Sequence, residues 1–148
     1  MPFLQIKALE GEHAGDVLNV AYDENKLLLD RAVSWQRQPN KGAGDLVFER
    51  VETTHLSLVL LWEHMAEQRP IQPDLDKVQR WADVDATLHR PPKLEVSWGK
   101  AANAVPSFVG VIESLSISYA GGIADSGVPL HAAVDVRLAQ AVHLRAPA

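Results

Sequence analysis

The feature that most constrains the fold is a strict alternation of side chains near the carboxyl end of the chain. From Val128 to Leu138 every second residue is apolar. The residues between them are Pro129, His131, Ala133, Asp135 and Arg137. A period of two is typical of a β-strand with one face in the core and the other in water. The pattern therefore predicts a long strand whose apolar face is buried.

A second long strand is predicted from Ser107 to Tyr119, just before the alternating segment. One of its faces would carry the apolar residues Val109, Val111, Leu115, Ile117 and Tyr119. The connecting segment "AGGIADSGVP" contains three glycines and is typical of a turn. Because antiparallel strands can be joined by a compact turn, we expect the two strands to form a long hairpin.

Shorter extended segments occur earlier in the chain. Phe3–Glu10 and Val17–Tyr22 predict a hairpin, and Lys93–Trp98 predicts a further strand. Leu46–Glu63 is the longest extended segment, and its second face is partly apolar, which suggests a sheet covered on both sides or a partner chain. Its main apolar face would consist of Leu56, Leu58, Leu60 and Trp62. Lys26–Gln36 is mixed and is expected to be a loop with some extended structure.

One helix is predicted at about residues 73–84. Pro73 and Asp74 suit the first turn of a helix. The apolar residues at helical spacing are Leu75, Val78 and Trp81. Pro91 and Pro92 follow, and since residues before proline avoid the helical region, these two prolines separate the helix from the next strand.

The predicted fold is mainly β: an antiparallel β-barrel or sandwich with one flanking α-helix, in a single domain over residues 1–148. Hydrophobic residues make up 47% of the chain, which is enough for a packed core. The absence of cysteine excludes disulfides and thiolate metal sites. The formal net charge is −5 without a basic block, which argues against nucleic-acid binding.

Targeting signals are not evident in the sequence. The first residues lack the basic and apolar regions of a signal peptide. No apolar run approaches the roughly 20 residues of a membrane-spanning helix. We therefore expect a cytoplasmic protein that does not insert into a membrane.

Histidines and carboxylates give one short cluster, Glu63, His64 and Glu67. A metal site there would need further ligands from elsewhere in the chain, and the sequence nominates none. Neither a metal nor another cofactor is predicted. No phosphate-binding glycine loop and no nucleophile elbow occurs, so an enzymatic activity is not expected.

Glu113 is the one carboxylate in an apolar register, between Val111 and Leu115. A buried carboxylate needs a partner or a raised pKa. We expect a structural polar contact, with Arg90 or His89 as the partner.

Two stretches of the sequence, "ADVDATLHRPPKLEVSWG" and "FVGVIESLSISYAGGIADSGVPLHAAVDVRLAQ", resemble the contractile injection system tube protein family. These are tail-tube-like baseplate proteins of phage-tail-like particles. The residues that carry the resemblance are His89, Arg90, Pro91, Pro92, Trp98, Gly99, Phe108, Gly110, Val111, Glu113, Ser114, Gly127 and Pro129. The resemblance is good over about residues 46–140 and weaker over the first 45. Many family members carry a LysM domain after the tube-like domain, and here only the tube-like domain is recognised.

The resemblance implies a tail-tube fold and a hexameric ring in which long hairpins from all subunits line a central channel. It also implies a non-enzymatic role at the baseplate end of the inner tube, where the ring would join the spike hub to the tube and initiate tube assembly. Spike, hub, inner tube and other baseplate proteins are the expected partners. The particle would assemble in the cytoplasm and could leave the cell as a unit. Peptidoglycan binding is not expected.

The polar residues of the last hairpin are predicted to face the channel. They are Ser114, Ser116, Ser118, His131, Asp135 and Arg137.

Two other functions stay open at this point. A monomeric carbohydrate-binding β-sandwich would use Trp98 or Trp35, whereas Trp62 and Trp81 lie on apolar faces and are expected in the core. A hydrolase would use Glu113 together with His89.

Overall fold

The computed structural model describes residues 3–37, 46–63, 70–99, 102–119 and 123–141. Its elements in chain order are β1 (Phe3–Ala8), β2 (Val17–Tyr22), a short 3-10 helix (Glu24–Lys26), β3 (Leu28–Asp30), β4 (Val33–Arg37), β5 (Leu46–Val51), β6 (His55–Glu63), α1 (Gln72–Trp81), β7 (Leu94–Ser97), β8 (Phe108–Ser118) and β9 (His131–Gln140).

Six antiparallel strands close into a barrel. Their order is β2-β1-β7-β8-β9-β6, and β2 then pairs with β6 through Ala21–Leu61 and Tyr22–Leu60. The short strand β3 continues along the same edge of β6. Closure removes most of the free strand edges, which would otherwise invite aggregation. The predicted mainly β, antiparallel fold with one helix is confirmed.

The barrel strands bury alternate side chains in one common core. These are Leu4, Ile6, Ala8, Leu18, Val20, Leu56, Leu58, Leu60, Trp62, Leu94, Val96, Phe108, Ala132, Val134, Val136 and Leu138. The apolar faces predicted for Leu56–Trp62 and for the last strand are therefore confirmed as buried faces. The last strand begins at His131, three residues later than its alternation starts.

Helix α1 contributes Leu75, Val78 and Trp81 to the same core. Two polar contacts hold it to the barrel: Trp62 Nε1 donates to Asp74 Oδ2 at 3.2 Å, and Lys77 Nζ donates to the carbonyl of Val17 at 3.2 Å. The helix ends at Trp81 rather than near residue 84. After the last buried side chain no apolar contact favours another turn, and the Asp83 carboxylate accepts from the amide of Val84 instead.

A β-bulge in β8 changes which side chains face inward. Ile112 pairs with Leu138 and Ser114 pairs with Arg137, so Glu113 is the extra residue. Before the bulge Val109 and Val111 point outward, and after it Leu115, Ile117 and Tyr119 pack against the core. The predicted face that joined all five is therefore wrong in its first half, because one extra residue reverses the alternation.

The segment Leu46–Glu63 is not one strand, as was expected. It breaks at residues 52–54, and β5 pairs with β4 in a separate two-stranded sheet while β6 belongs to the barrel. Thr54 is buried at the break and accepts from Arg31 Nε at 2.9 Å, and the amide of Glu52 donates to the carbonyl of Ala32. We call β4 and β5 the arm.

Candidate functional site

Strands β8 and β9 present an outward polar surface in the middle of the barrel wall. Ser114 lies opposite Arg137, Ser116 opposite Asp135, and Ser118 opposite Ala133. Cross-strand partners share a face, so the structure brings the six predicted channel residues together on one side. We call Ser114, Ser116, Ser118, His131, Asp135 and Arg137 the polar face. The inward side chains of the same strands lie in the core.

Serine and alanine side chains occupy much of the outward surface of β8 and β9, and Ser57 of β6 adjoins them. Ser57 of β6 lies opposite Arg137, and Ala133 and Ala139 complete the outward row of β9. A shallow depression of about 330 Å³ lies over Ser57, Ser114, Ser116, Asp135 and Arg137. The surface is polar and shallow, and its serines and alanines are interspersed with a few longer charged side chains such as Lys26 and Arg137. It offers no enclosed cavity for a small substrate.

Glu113 is exposed at the bulge and lies between two basic side chains. Its carboxylate contacts His55 Nε2 at 2.9 Å and Arg137 Nε at 3.4 Å, and the second contact is ionic without the alignment of a hydrogen bond. The expectation of a buried carboxylate paired with Arg90 or His89 is wrong, because the bulge turns Glu113 outward. A hydrolytic pair of Glu113 with His89 is not formed either.

Arg90 belongs to a different ion pair, with Glu10 at the end of the first hairpin strand. Arg90 Nη1 donates to Glu10 Oε1 at 2.5 Å, and the amide of Lys93 donates to the same oxygen at 3.0 Å. The hydrogen bond from Arg90 lowers the pKa of Glu10 below its ordinary value. The connection after α1 is thereby fastened to β1.

Asp85 fastens the same connection to the first turn of the chain. Its carboxylate accepts from the amides of Glu12 at 2.9 Å, Thr87 at 2.8 Å and Leu88 at 3.1 Å. The bond from Glu12 is the largest cause that lowers the pKa of Asp85. Gly11 passes so close that a Cβ there would lie 2.4 Å from Asp85 Oδ2.

The His-Arg-Pro-Pro motif is therefore a structural connection. His89 is exposed and adopts a positive φ of 59° at the end of the turn that Asp85 organises. Pro92 is buried and leads directly into β7. Pro91 is half-buried, and its carbonyl accepts from Arg90 Nη1. These residues set the direction in which β7 enters the barrel.

The remaining motif residues lie around β7 and β8. Phe108 is buried in the core, and Gly110 packs so tightly that a Cβ would lie 2.3 Å from the carbonyl oxygen of Ala139. Trp98 is half-buried at the end of β7, and Gly99 follows with a φ of 134°. Packing in or next to the core therefore accounts for these residues of the motif.

Trp98 also borders a shallow groove of about 430 Å³ over β1, β2 and β7. We call this the groove, and its lining includes Phe3, Gln5, Asn19, Glu95, Ser97 and Trp98, of which Trp98 also packs against the core. Trp62 and Trp81 lie in the core as expected. Trp35 lies on the arm, where its ring meets that of Phe48 edge-on at 5.5 Å between centroids. Trp35 and Trp98 are thus on separate surfaces.

Sequence reasoning missed the arm, the His55 contact and both fastening carboxylates, Glu10 and Asp85. The arm had a signal, because "VSWQR" and "LVFERV" each place apolar residues at alternating positions. Glu10 and Arg90 had none, since they are 80 positions apart.

Metal and membrane sites were also sought among the described residues. No group of three or more histidines and carboxylates there could hold a metal ion. His64 and Glu67 of the short cluster lie outside the described residues. Within the same ranges, no helix has the length and apolar character needed to cross a membrane.

Comparison with known proteins gives one family. The family model "Contractile injection system tube protein" matches residues 4–147. Among solved structures, the chain is similar to one from the six-fold symmetrised cryo-EM structure of the anti-feeding prophage baseplate, with 15% identity and a TM-score of 0.46. That alignment covers 95% of this chain and 90% of the other. No curated protein matches the sequence.

Proposed function

The chain belongs to the contractile injection system tube protein family, and from this premise we propose that it forms a ring at the baseplate end of the inner tube. A structural role in a phage-tail-like particle follows from the family itself. The ring would join the spike hub to the tube and give the tube its first layer to assemble on. Six copies is the number that the sequence resemblance implies.

The observation that carries this proposal is the polar face. The longest hairpin of the barrel buries one side in the core and exposes serines, alanines and a few charged groups on the other. A wall that must stay wet and unobstructed while something passes along it needs such side chains, because apolar ones would bind the passing chain. We therefore assign the polar face to the channel.

The proposed partners are copies of this chain, the spike hub and the inner tube proteins of the same particle. The work is geometric and non-enzymatic: the ring templates the tube and leaves a passage. The particle would assemble in the cytoplasm and could leave the cell as a unit.

The role in the particle is tested by capture of the tagged chain from its native host. Mass spectrometry of the captured proteins and negative-stain images of the same sample are recorded together. Sheath, tube and spike proteins with tail-like particles support the proposal. A lone monomer without such partners would refute it.

The channel assignment is tested by reversing one charge of the polar face. Asp135→Lys should leave the free energy of unfolding nearly unchanged, since Asp135 is exposed, but disturb particle assembly or passage of cargo. Asp76→Lys, an exposed reversal on α1, is the matched control and should leave both intact. Normal, loaded particles from Asp135→Lys would count against the assignment.

A further inference from the structure

The arm carries an apolar face that no described part of this chain covers. In its register Val33 lies opposite Val51, Trp35 opposite Phe48, and Arg37 opposite Leu46. Partners across a ladder share a face, so one side of the arm collects five large apolar side chains. These are Val33, Trp35, Leu46, Phe48 and Val51, and they are 43–53% exposed. The other side carries Ser34, Gln36, Val47 and Arg50.

An uncovered arm of this kind is unfavourable in an isolated chain. A two-stranded hairpin alone is only marginally stable in water and needs packing on one face. A contiguous apolar patch with a polar rim marks a surface that another molecule covers. The polar side is already satisfied, since Ser34 Oγ donates to Glu49 and Arg50 pairs with Glu52. The apolar side is the one that needs a partner.

The groove lies on a different part of the barrel wall from the arm. The arm joins the barrel between β3 and β6. The groove spans β7, β1 and β2, of which β2 is next to β6 and β7 is three strands from it around the closed barrel. A contact between two different surfaces of identical copies is head-to-tail, and it closes into a ring when the rotation allows. Two different surfaces on each copy are what such a ring requires.

The groove matches the apolar side of the arm in chemistry. It offers the aromatic ring of Phe3, which is 65% exposed, and at its border the half-buried Trp98, which also packs against the core. Aromatic side chains dominate the well-packed centres of protein interfaces. Charge also agrees: Arg37 stands on the apolar side of the arm, and Glu95 lines the groove. Within the described residues neither has an ion-pair partner, although Lys7 is the cross-strand neighbour of Glu95.

The positions of the arm and the groove agree with that of the polar face. Strand β9 is the centre of that face, with β6 on one side and β8 followed by β7 on the other. The arm therefore lies beside one edge of the polar face, and the β7 end of the groove lies beyond its other edge. A head-to-tail chain of copies joined through them could keep every polar face toward one axis.

We infer that the arm of one copy docks, apolar side down, in the groove of the next copy. Trp35 and Phe48 pack on Phe3 and Trp98, and Arg37 meets Glu95. This inference rests on the proposed ring, and it specifies the contact between neighbouring copies, which we call the joint. The occupant of the groove is thus a second copy of this chain.

Thiol cross-linking can test the joint because the chain has no cysteine. Phe48→Cys on the arm and Ser97→Cys in the groove are carried on chains of two different tag lengths and expressed together in the particle-forming host. Purified particles are treated with a short bifunctional thiol reagent. We expect a mixed dimer from this pair, and none from particles that contain either variant alone.

Three further variants allow the cross-linking result to be interpreted. Leu46→Cys repeats the test at a second apolar position of the arm, in case Phe48→Cys folds poorly. Ser34→Cys, on the polar side of the arm, should give several-fold less mixed dimer. Val84→Cys, exposed on the connection after α1, should give none with Ser97→Cys.

Three results would contradict the inference, and each has a different meaning. Dimers formed by Phe48→Cys alone would mean that arms meet each other, which overturns the inference. Particles that contain the chain but give no mixed dimer from either arm position would overturn the inference and leave the proposed ring standing. Particles that lack the chain altogether would overturn the proposed function, and the joint with it.

Discussion

The barrel and the arm are built from the same sequence pattern but differ in what covers it. Apolar side chains occur at alternating positions in both, yet those in the buried core cluster of the barrel are at most 6% exposed and those of the arm's apolar face are about half exposed. The barrel closes on itself and needs no partner to bury its core. The arm stands outside that closure. Alternation therefore shows that a strand is amphipathic, but whether its own chain covers it depends on topology.

The largest effect should follow from a cavity in the barrel. Leu60 is 0% exposed in the middle of β6. Leu60→Ala should lower the free energy of unfolding by about 2–5 kcal/mol, because lost burial and a residual cavity both contribute. Urea denaturation of the isolated chain measures it. A loss below about 1 kcal/mol would mean that the core is not packed as described.

A smaller effect on stability is expected at two glycines of the first turn, where the same substitution to alanine should cost different amounts. Gly11 and Gly15 have positive φ values of 90° and 93°, so alanine is strained at both by about 1–2 kcal/mol. Only at Gly11 would the Cβ also meet Asp85. Gly11→Ala should cost about 1 kcal/mol more than Gly15→Ala, since Asp85 must move away from its bond with Glu12. Equal losses in thermal unfolding would argue against that contact.

Low pH should reduce the free energy of unfolding, because the carboxylates of Glu10 and Asp85 accept hydrogen bonds in the folded chain. The pKa of Glu10 lies below its reference of 4.5 in the folded chain, mainly because Arg90 donates to it. Its stabilisation is thus present above that reference and lost as pH falls through the lower folded pKa. Glu10→Gln should cost about 1 kcal/mol at pH 7 and make stability depend less on pH below 4.5. Parallel pH profiles of the variant and the wild type from pH 6 to 3 would contradict this cause.

The smallest effect on stability should come from the arm. Phe48→Ala removes an exposed ring and should change the global free energy of unfolding of the isolated chain by less than about 0.5 kcal/mol. In the particle the same change should reduce incorporation of the chain strongly, because a docking residue is lost. Native incorporation beside wild-type competitor chains would show that the arm's apolar face is not used.

Local pattern predicted the buried faces of β6 and β9, because each is a regular alternation over one strand. It could not place the bulge at Glu113, since one extra residue reverses the faces of β8 without any change in composition. The break at Thr54 was hidden for a similar reason, as both flanking segments favour strand.

The candidate site was likewise predictable from the sequence only in part. The six residues of the polar face were predicted because they follow the alternation of one hairpin. The partners of Glu113 and Arg90 were not, because His55 and Glu10 lie 58 and 80 positions away in the sequence. Such pairs are created by closure of the barrel and leave no local trace in the sequence.

Amide hydrogen exchange in the isolated chain and in the purified particle tests the central claim most directly. Peptides from residues 33–37 and 46–51 report the arm, and those from β9 serve as the internal reference. We expect arm amides to exchange about tenfold or more slowly in the particle, while those of β9 change little because the barrel is complete in both states. Equal exchange of the arm in both samples would contradict the account.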